Sequence, residues 1–189
     1  KSAWAGGQGK WPQMSAADRI EALERVVDSL LERREEIVNV LIWEICKNVP
    51  DAEAEFDRTI TFTKAMIEAF KEDAKSTGWK TVSGVMAKVR RAAIGIVMCL
   101  GPFNYPINET YATLLPALLS GNIVILKLPT LGGLAHILTV EAFQKHLPPG
   151  TLNFVSGSGR STMAPMMRTG DIDVLAFIGG GKAADAIIK

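Results

Sequence analysis

The chain has 189 residues, of which 48% are hydrophobic and 22% are charged, and its formal net charge is +1. This length suits one domain, or one domain with an appendage, and the composition is that of an ordinary soluble globular protein. A net charge so close to zero gives no electrostatic case for a nucleic acid or an anionic membrane as partner. No signal-peptide pattern is seen, and no apolar run approaches the ~18 residues that a membrane span needs.

The cysteines and histidines favour a reducing compartment and give no metal site. Cys46 and Cys99 are too few for a disulfide framework, so we expect a cytoplasmic protein. His136 and His146 are isolated, and no His/Cys/Asp/Glu cluster has metal-ligand spacing. Each histidine is interpreted as a structural or surface residue.

The first part of the chain is predicted to be helical. Ser15 and Asp18 resemble a capping box, the charged segment 32–36 predicts a break, and Pro50-Asp51 opens a third helix. Apolar residues recur at helical spacing in three stretches. These residues are Ile20, Leu23, Val27, Leu30 and Leu31, then Ile37, Val38, Leu41, Ile42 and Ile45, then Phe56, Ile60, Thr63, Met66, Ile67 and Phe70. Taken alone, three such helices could also form a bundle.

Residues 78–91 change to a period of two. Val85, Ala87 and Val89 alternate with Met86, Lys88 and Arg90, which predicts an extended hairpin. The basic residues lack interleaved aromatic side chains. They therefore indicate a solvated strand with charged edge protection rather than a nucleic-acid site.

From Ile94 onward, strands and helices alternate. Strands are expected near 94–100, 122–127, 152–156 and 173–178, and helices near 107–119, 133–146, 160–168 and 181–189. This alternation predicts an α/β fold with a parallel sheet covered on both sides, here an incomplete Rossmann-like unit. The apolar run at 94–100 is expected to be buried on both faces.

The loop between the first of these strands and its helix contains two prolines. Pro102 and Pro106 fix φ and restrict the residues before them, so Gly101 to Pro106 should be stiff. The loop lies where open α/β sheets bind ligands, at the carboxyl end of a strand. Asn104 carries an amide that can donate to an oxyanion. The asparagine alone favours a simpler role, in which it satisfies backbone groups of the turn.

Lys127 stands at the end of the second predicted strand of this sheet, with Thr130 three residues later. Its ammonium can reach a ribose hydroxyl or a 2′-phosphate, or it is a surface lysine at a strand end. Thr130 matters because a carboxylate there would repel a 2′-phosphate. Threonine is compatible with NADP.

Two glycine-rich turns follow the later strands. Gly157-Ser158-Gly159 precedes one helix, and Phe177-Ile178-Gly179-Gly180-Gly181 precedes another. A helix N-terminus of this kind attracts a pyrophosphate. No glycine follows Gly159 at the spacing of Gly-x-Gly-x-x-Gly, so the Rossmann fingerprint is incomplete.

Four ordered motifs together resemble the aldehyde dehydrogenase superfamily, over nearly the whole chain. They are Gly-Pro-Phe-Asn-Tyr-Pro at 101–106, Lys-Leu-Pro-Thr at 127–130, Gly-Ser-Gly at 157–159 and Phe-Ile-Gly-Gly at 177–180. Within the superfamily, Phe-Asn-Tyr-Pro with Lys-x-Pro-Thr is most similar to the NADP-dependent, non-phosphorylating glyceraldehyde-3-phosphate dehydrogenases.

The resemblance implies roles for individual residues. Asn104 would be catalytic as the oxyanion donor, and Arg58 and Tyr105 would contact the substrate. NADP would be the cofactor, with NAD as the alternative. Its binding residues would be Gly101, Pro102, Phe103, Lys127, Thr130, Gly159, Phe177, Gly179 and Gly180.

The chain departs from the family pattern at three positions. Ile178 and Gly180 replace a threonine and a serine, and Cys46 replaces the glycine of Glu-x-Gly-Lys. Neither cysteine matches the family's nucleophile. The nucleophilic cysteine and the general-base glutamate belong to motifs beyond Lys189, so we expect this chain to be inactive alone.

The resemblance also implies an organisation and a reaction. We expect a helical part at 1–77, a bridging hairpin at 78–92 that supports a homo-oligomer, and a dinucleotide-binding part at 93–189. The best expectation is oxidation of glyceraldehyde 3-phosphate to 3-phosphoglycerate. The alternatives are another aldehyde, such as succinate semialdehyde, or a non-catalytic nucleotide-binding or scaffold protein.

Overall fold

A computed structural model describes residues 1–76, 78–88 and 91–188. Its first part is helical, as predicted. A 3-10 turn at Ala5–Gly7 is followed by α1 (Lys10–Gln13), α2 (Ala16–Glu32), α3 (Arg34–Ile45) and α4 (Val49–Ser76). The three-part division of the chain stays a prediction.

Two predicted boundaries of these helices are confirmed. The Ser15 hydroxyl caps α2 by accepting from the Asp18 backbone N–H at 3.1 Å. The charged segment breaks the helix at Arg33, whose φ of −105° and ψ of 14° separate α2 from α3.

The predicted hairpin is formed by β1 (Lys80–Val82) and β2 (Val85–Ala87), which pair antiparallel. Ser83 and Gly84 make the turn with φ of 51° and 78°. Positive φ at both central residues is the turn geometry that matches the twist of the flanking strands. The predicted alternation at Val89 and Arg90 lies outside the described residues.

Four parallel strands form the main sheet in the order β5-β4-β3-β6. They are β3 (Ile96–Leu100), β4 (Ile123–Lys127), β5 (Leu152–Val155) and β6 (Val174–Phe177). The expected α/β class and Rossmann-like parallel sheet are confirmed. The predicted start at Ile94 is wrong, because the backbone N–H groups of Ile94 and Gly95 donate to the side-chain oxygen of Asn122 before the strand begins.

Helices cover both faces of this sheet. They are α5 (Pro106–Leu119), α6 (Gly133–Ile137), α7 (Val140–His146), α8 (Gly159–Arg168) and α9 (Gly181–Ile188). The single helix expected at 133–146 is wrong. Thr139 sends both its backbone N–H (3.0 Å) and its hydroxyl (2.7 Å) to the carbonyl of His136, which closes α6 in a tight turn.

The core divides between the two faces of β3. Val97 and Cys99 face the large core with α5, whereas Met98 and Leu100 pack with Met163 of α8. The helices α2 and α4 lie against α5, so the N-terminal helices are part of this core and not a separate bundle.

Two side chains from the N-terminal region hold the carboxyl end of α5. Trp11 Nε1 donates to the Leu118 carbonyl at 3.1 Å, and Arg19 Nε donates to the Leu119 carbonyl at 2.9 Å. Both carbonyls belong to the last turn of α5, where helical partners are missing. Within the described residues, each helix is too short or too polar to cross a membrane.

Candidate active site

Three predicted motifs meet at one edge of the sheet. Leu100 is paired in register with Lys127 on one side and with Phe177 on the other, so β3, β4 and β6 end together. The loop after Leu100 therefore lies between the residues that follow Lys127 and those that follow Phe177. The Ile178 N–H donates to the Leu100 carbonyl at 3.0 Å and holds the segment after Phe177 to the end of β3, where the Asn104 loop begins.

The Asn104 side chain is exposed on this loop, between exposed Phe103 and half-buried Tyr105. Within the described residues, its amide makes no hydrogen bond to the turn, although the sequence favoured that role. The amide N–H is therefore free to donate to another group.

Lys47 fixes the backbone of the same residue. Its ammonium donates to the Asn104 carbonyl at 3.0 Å and lies 3.6 Å from the centre of the Tyr105 ring. Cation–π contacts of this kind are attractive because the ring face is electron-rich. The ammonium also pairs with the carboxylate of Glu55, and only 9% of the Lys47 side chain is exposed.

Glu55 holds the other end of the loop. Its Oε1 accepts from the backbone N–H groups of Ile107 (3.0 Å) and Asn108 (3.2 Å), in the first turn of α5. The residue is 1% exposed. A carboxylate at this position satisfies N–H groups that lack helical partners and interacts favourably with the helix dipole.

Two glycines allow neighbouring segments to approach the loop. At Gly132, whose φ is 83°, a Cβ would lie 2.9 Å from Pro106 Cβ and 3.0 Å from the Phe103 carbonyl oxygen. At Gly101, a Cβ would run into the Thr110 side chain. The loop is therefore held by α3 and α4 on one side and by the start of α6 and α5 on the others.

These supporting residues were not predicted as site residues. Lys47, Glu55 and Gly132 lie far from Asn104 along the chain. Glu55 gave one usable signal, because it falls between Ala52 and Phe56 on the apolar face of α4, where an ordinary carboxylate would be costly.

Lys127 is 8% exposed, and within the described residues its ammonium has no carboxylate partner. Burial lowers the pKa of this lysine. Thr130 lies nearby along the chain and is exposed. A buried ammonium without a counter-ion provides a site for an anionic group.

The two glycine turns are open. Within the described residues, no heavy atom lies within 4 Å of the place that a Cβ would occupy at Gly159, Gly180 or Gly181. Ser158 caps α8 by accepting from the Ser161 N–H at 3.2 Å. By contrast, Gly179 lies beneath the Phe177 ring, which a Cβ would contact. A ligand can therefore approach most of this backbone closely.

Arg58 is separate from the loop contacts. It lies on α4 one turn after Glu55 and is exposed, and within the described residues its guanidinium forms no ion pair or hydrogen bond. The structure does not join it to Tyr105.

The cysteines differ in surroundings. Cys99 is fully buried in β3, and burial raises the pKa of its thiol to about 11, so it stays protonated at neutral pH. Cys46 is exposed and follows α3 with φ of 55° and ψ of 37°. Glycine favours this left-handed conformation, which explains why the family pattern has glycine there. No described group of three or more His, Cys, Asp or Glu residues could hold a metal ion.

Comparisons with known proteins agree with this geometry. The profile of the "Aldehyde dehydrogenase family" matches residues 1–189. An NADP-dependent glyceraldehyde-3-phosphate dehydrogenase of Streptococcus equinus is 36% identical over 161 residues, covering 80% of this chain and 33% of that protein. A 3-sulfolactaldehyde dehydrogenase of Priestia aryabhattai is 28% identical over 178 residues, covering 92% of this chain and 37% of that protein.

A solved structure of a related enzyme is also similar to this chain. The NADP-dependent glyceraldehyde-3-phosphate dehydrogenase of Bacillus halodurans, complexed with NADP, is similar with a TM-score of 0.85 and 28% identity. The match covers 99% of this chain and 40% of that one. The chain thus spans 33% to 40% of the length of these relatives. The family inferred from the four motifs is confirmed: this chain belongs to the aldehyde dehydrogenase family.

Proposed function

We propose that this chain forms the cofactor-binding part and the Asn104 loop of an enzyme that oxidises glyceraldehyde 3-phosphate to 3-phosphoglycerate with NADP. The observation that carries the proposal is the unengaged amide of Asn104 on a loop that buried charges hold in place. Such a donor needs little reorganisation when negative charge develops on a substrate oxygen.

The chemistry assigned to this chain is stabilisation of an oxyanion. In the reaction that the family implies, a cysteine thiolate attacks the aldehyde carbon, and the carbonyl oxygen becomes negatively charged. The Asn104 amide N–H donates to that oxygen. A donor whose position is set beforehand stabilises the oxyanion more than an amide that must reorient as the charge develops.

The residues at the sheet edge fit NADP. The buried Lys127 ammonium suits the adenosine ribose or its 2′-phosphate, and Thr130 adds no negative charge there. Gly159 and Gly179-Gly180 offer backbone that a dinucleotide can approach, with Phe177 beside them. When bound, NADP supplies the hydride acceptor. Gly101, Pro102 and Phe103 would border the cofactor on the side of the loop.

Arg58 supports an anionic aldehyde as substrate, and Tyr105, next to Asn104, is proposed to contact the same substrate. An exposed guanidinium without a partner among the described residues is suited to a phosphate or a carboxylate, because its donors can bind two oxygens together. Both curated relatives carry names of aldehydes with an anionic group, a phosphate in one and a sulfonate in the other. Succinate semialdehyde is the alternative, since its carboxylate would use the same cation.

Steady-state kinetics of the full-length enzyme tests the proposal. We expect kcat/KM to be higher with glyceraldehyde 3-phosphate than with succinate semialdehyde, and higher with NADP than with NAD. Arg58→Ala should raise KM for the anionic aldehyde, whereas Lys64→Ala, which removes another exposed cation of α4, should not. Unchanged KM in Arg58→Ala would exclude the anion contact. NADP binding without turnover of any aldehyde would favour the non-catalytic alternative.

The hairpin supports a homo-oligomer. Val82, Val85 and Met86 are 67%, 64% and 64% exposed, respectively, on a short antiparallel pair. Apolar side chains presented in this way suit a contact with a second subunit. Light scattering of full-length Val85→Asp should show a lower mass than the unmodified protein. An unchanged mass would exclude the hairpin from the interface.

A further inference from the structure

Among the described residues, the buried ion pair of Lys47 and Glu55 is hydrogen-bonded to backbone groups at and after the Asn104 loop. The Lys47 and Glu55 side chains are 9% and 0% exposed, whereas those of Arg34 and Asp57, which pair between α3 and α4, are 36% and 55% exposed. Taking two charges out of water is costly, and a buried pair is often no more stabilising than apolar residues of the same size. The burial of this pair therefore calls for a reason other than stability.

The hydrogen bonds of the pair show what it holds. Lys47 donates to the Asn104 carbonyl, and Glu55 accepts from the N–H groups of Ile107 and Asn108. Their targets lie on either side of Tyr105-Pro106. Pro106 has no N–H, so the next two N–H groups are the first that a side chain can hold at the start of α5. One pair of charges thus fixes the backbone on both sides of Tyr105-Pro106, at Asn104 and at Ile107-Asn108.

The contacts make the position of the Asn104 backbone depend on α3 and α4. Lys47 lies two residues after the end of α3, and Glu55 lies in the second turn of α4. Lys47 also lies over the Tyr105 ring at 3.6 Å. Moving the ammonium would therefore release a carbonyl and a ring next to the amide that donates to the oxyanion.

We propose that Lys47 and Glu55 are positioning residues that orient Asn104 for oxyanion stabilisation, an inference that rests on the role given to Asn104 above. Neither residue is assigned a contact with substrate or cofactor. A misplacement of about 1 Å in a catalytic group can cost about 10²-fold in rate. Loss of the Lys47 contact is accordingly expected to lower kcat ~10–10²-fold.

The test is a double-mutant cycle between position 47 and position 104 in the full-length enzyme. The variants are Lys47→Met, Asn104→Ala and the two combined. The readouts are the pre-steady-state rate of NADPH formation, kcat, the Kd for NADP and the unfolding midpoint. If Lys47 acts through Asn104, Lys47→Met alone should slow NADPH formation. In the combined variant, Lys47→Met should lower the rate no further than Asn104→Ala alone does. The Kd for NADP should stay unchanged.

Further variants separate positioning from stability. Lys47→Arg keeps the positive charge and should restore part of the rate. Arg34→Met breaks an ion pair between the same helices without touching the loop, and should leave kcat unchanged. If Lys47→Met leaves Glu55 unpaired and does not fold, the double variant Lys47→Met/Glu55→Gln removes both charges. This double variant should fold, and its rate should be as low as expected for Lys47→Met, because the Asn104 carbonyl again lacks the hydrogen bond from Lys47.

The outcomes distinguish the two proposals. A low rate in Asn104→Ala with a normal rate in Lys47→Met, or rate losses that simply multiply in the combined variant, would overturn the positioning role alone. A normal rate in Asn104→Ala would overturn the oxyanion role, and the positioning role would fall with it. A normal rate in the folded charge-free double variant would also reject positioning.

Discussion

The Asn104 loop and the two glycine turns lie at the same edge of the sheet, but they are built in opposite ways. The loop has two prolines. It accepts a hydrogen bond from Lys47, the residues that follow it donate to Glu55, and Gly132 lets the start of α6 pack against it. The turns around Gly159 and Gly180 are exposed and leave open space above the backbone. The Asn104 loop is thus fixed by residues from other parts of the chain, whereas the two glycine turns are accessible to a ligand.

This difference teaches what each segment is suited to do. A donor that meets developing charge works best when its position is set beforehand, because no reorganisation is then needed during the reaction. Backbone that binds a large anionic ligand instead needs free N–H groups and room for close approach. The following predictions test or refine this contrast.

The largest effect is expected at Asn104 itself. Asn104→Ala in the full-length enzyme should lower kcat by ~10²–10³, the usual effect of removing one oxyanion donor. The Kd for NADP should change little, because the amide is not assigned to the cofactor. Kinetics and thermal unfolding of the same preparation provide the measurement. A variant with lower stability but near-normal kcat would show that Asn104 is only a turn residue.

The support beneath the loop is expected to depend on pH through His136. The residue is fully buried, and within the described residues neither ring nitrogen has a hydrogen bond of normal geometry. Burial lowers the pKa of His136 to about 4, an effect that the nearby Pro106 carbonyl partly offsets. In the unfolded chain the pKa is ~6.5, so the unfolded state binds the proton first as the pH falls.

The neutral, buried His136 therefore contributes stability that is present above pH ~6.5. As the pH falls toward 4, the unfolding free energy should drop by roughly 3 kcal/mol in total. Denaturant unfolding between pH 7 and pH 4 measures it. His136→Leu should flatten the dependence in this window, whereas the partly exposed His146→Leu should change it much less. Equal slopes for the unmodified protein and His136→Leu would contradict the assignment.

Adjacent glycines allow a matched test of the contact with α6. Gly132→Ala places a methyl group 2.9 Å from Pro106 Cβ at a φ of 83°. It should cost ~2–3 kcal/mol of unfolding free energy through backbone strain and overpacking. It should also reduce kcat by displacing the loop. Gly133→Ala meets only Leu128 Cβ at 3.8 Å and should change unfolding by less than ~0.5 kcal/mol. Similar effects at both positions would show that the contact is unimportant.

A substitution at Thr130, in the proposed cofactor site, is expected to change the preference between NADP and NAD and not the rate of the chemical step. Thr130→Glu brings a carboxylate toward the proposed 2′-phosphate and should shift preference toward NAD by ~1–3 kcal/mol. Thr130→Gln has nearly the same size without charge and should shift it less. The measurement is kcat/KM for both cofactors. Equal values for NADP and NAD in the unmodified enzyme would remove the basis of this prediction.

The smallest effect is expected at Cys46, next to Lys47. Cys46 adopts φ of 55°, a conformation that costs most residues about 1–2 kcal/mol and costs glycine little. Cys46→Gly should therefore stabilise the fold by ~0.5–1 kcal/mol, after allowance for the greater freedom of glycine in the unfolded chain. Cys46→Ala serves as the control and should give no gain. Denaturant midpoints decide between the two results.

The sequence by itself determined the regular elements and the family. Helical and strand periods arise from backbone geometry and the spacing of apolar residues, so α2, β3 and β4 could be predicted from short stretches of chain. The capping of α2 by Ser15 and the hairpin of β1 and β2 depend on near neighbours and could be predicted in the same way. The four motifs identified the family because each is local and their order is fixed.

Only the tertiary structure decided what holds the loop and where some elements end. Lys47 lies 57 residues from Asn104, and Glu55 lies 52 residues from Ile107, so no local pattern relates them. The break between α6 and α7 depends on Thr139, which also accepts from the buried Tyr111 hydroxyl 28 residues away. The preference of a buried polar group for one partner depends on which groups packing brings within reach. Distant parts of the chain determine that environment, and a single stretch of sequence does not record it.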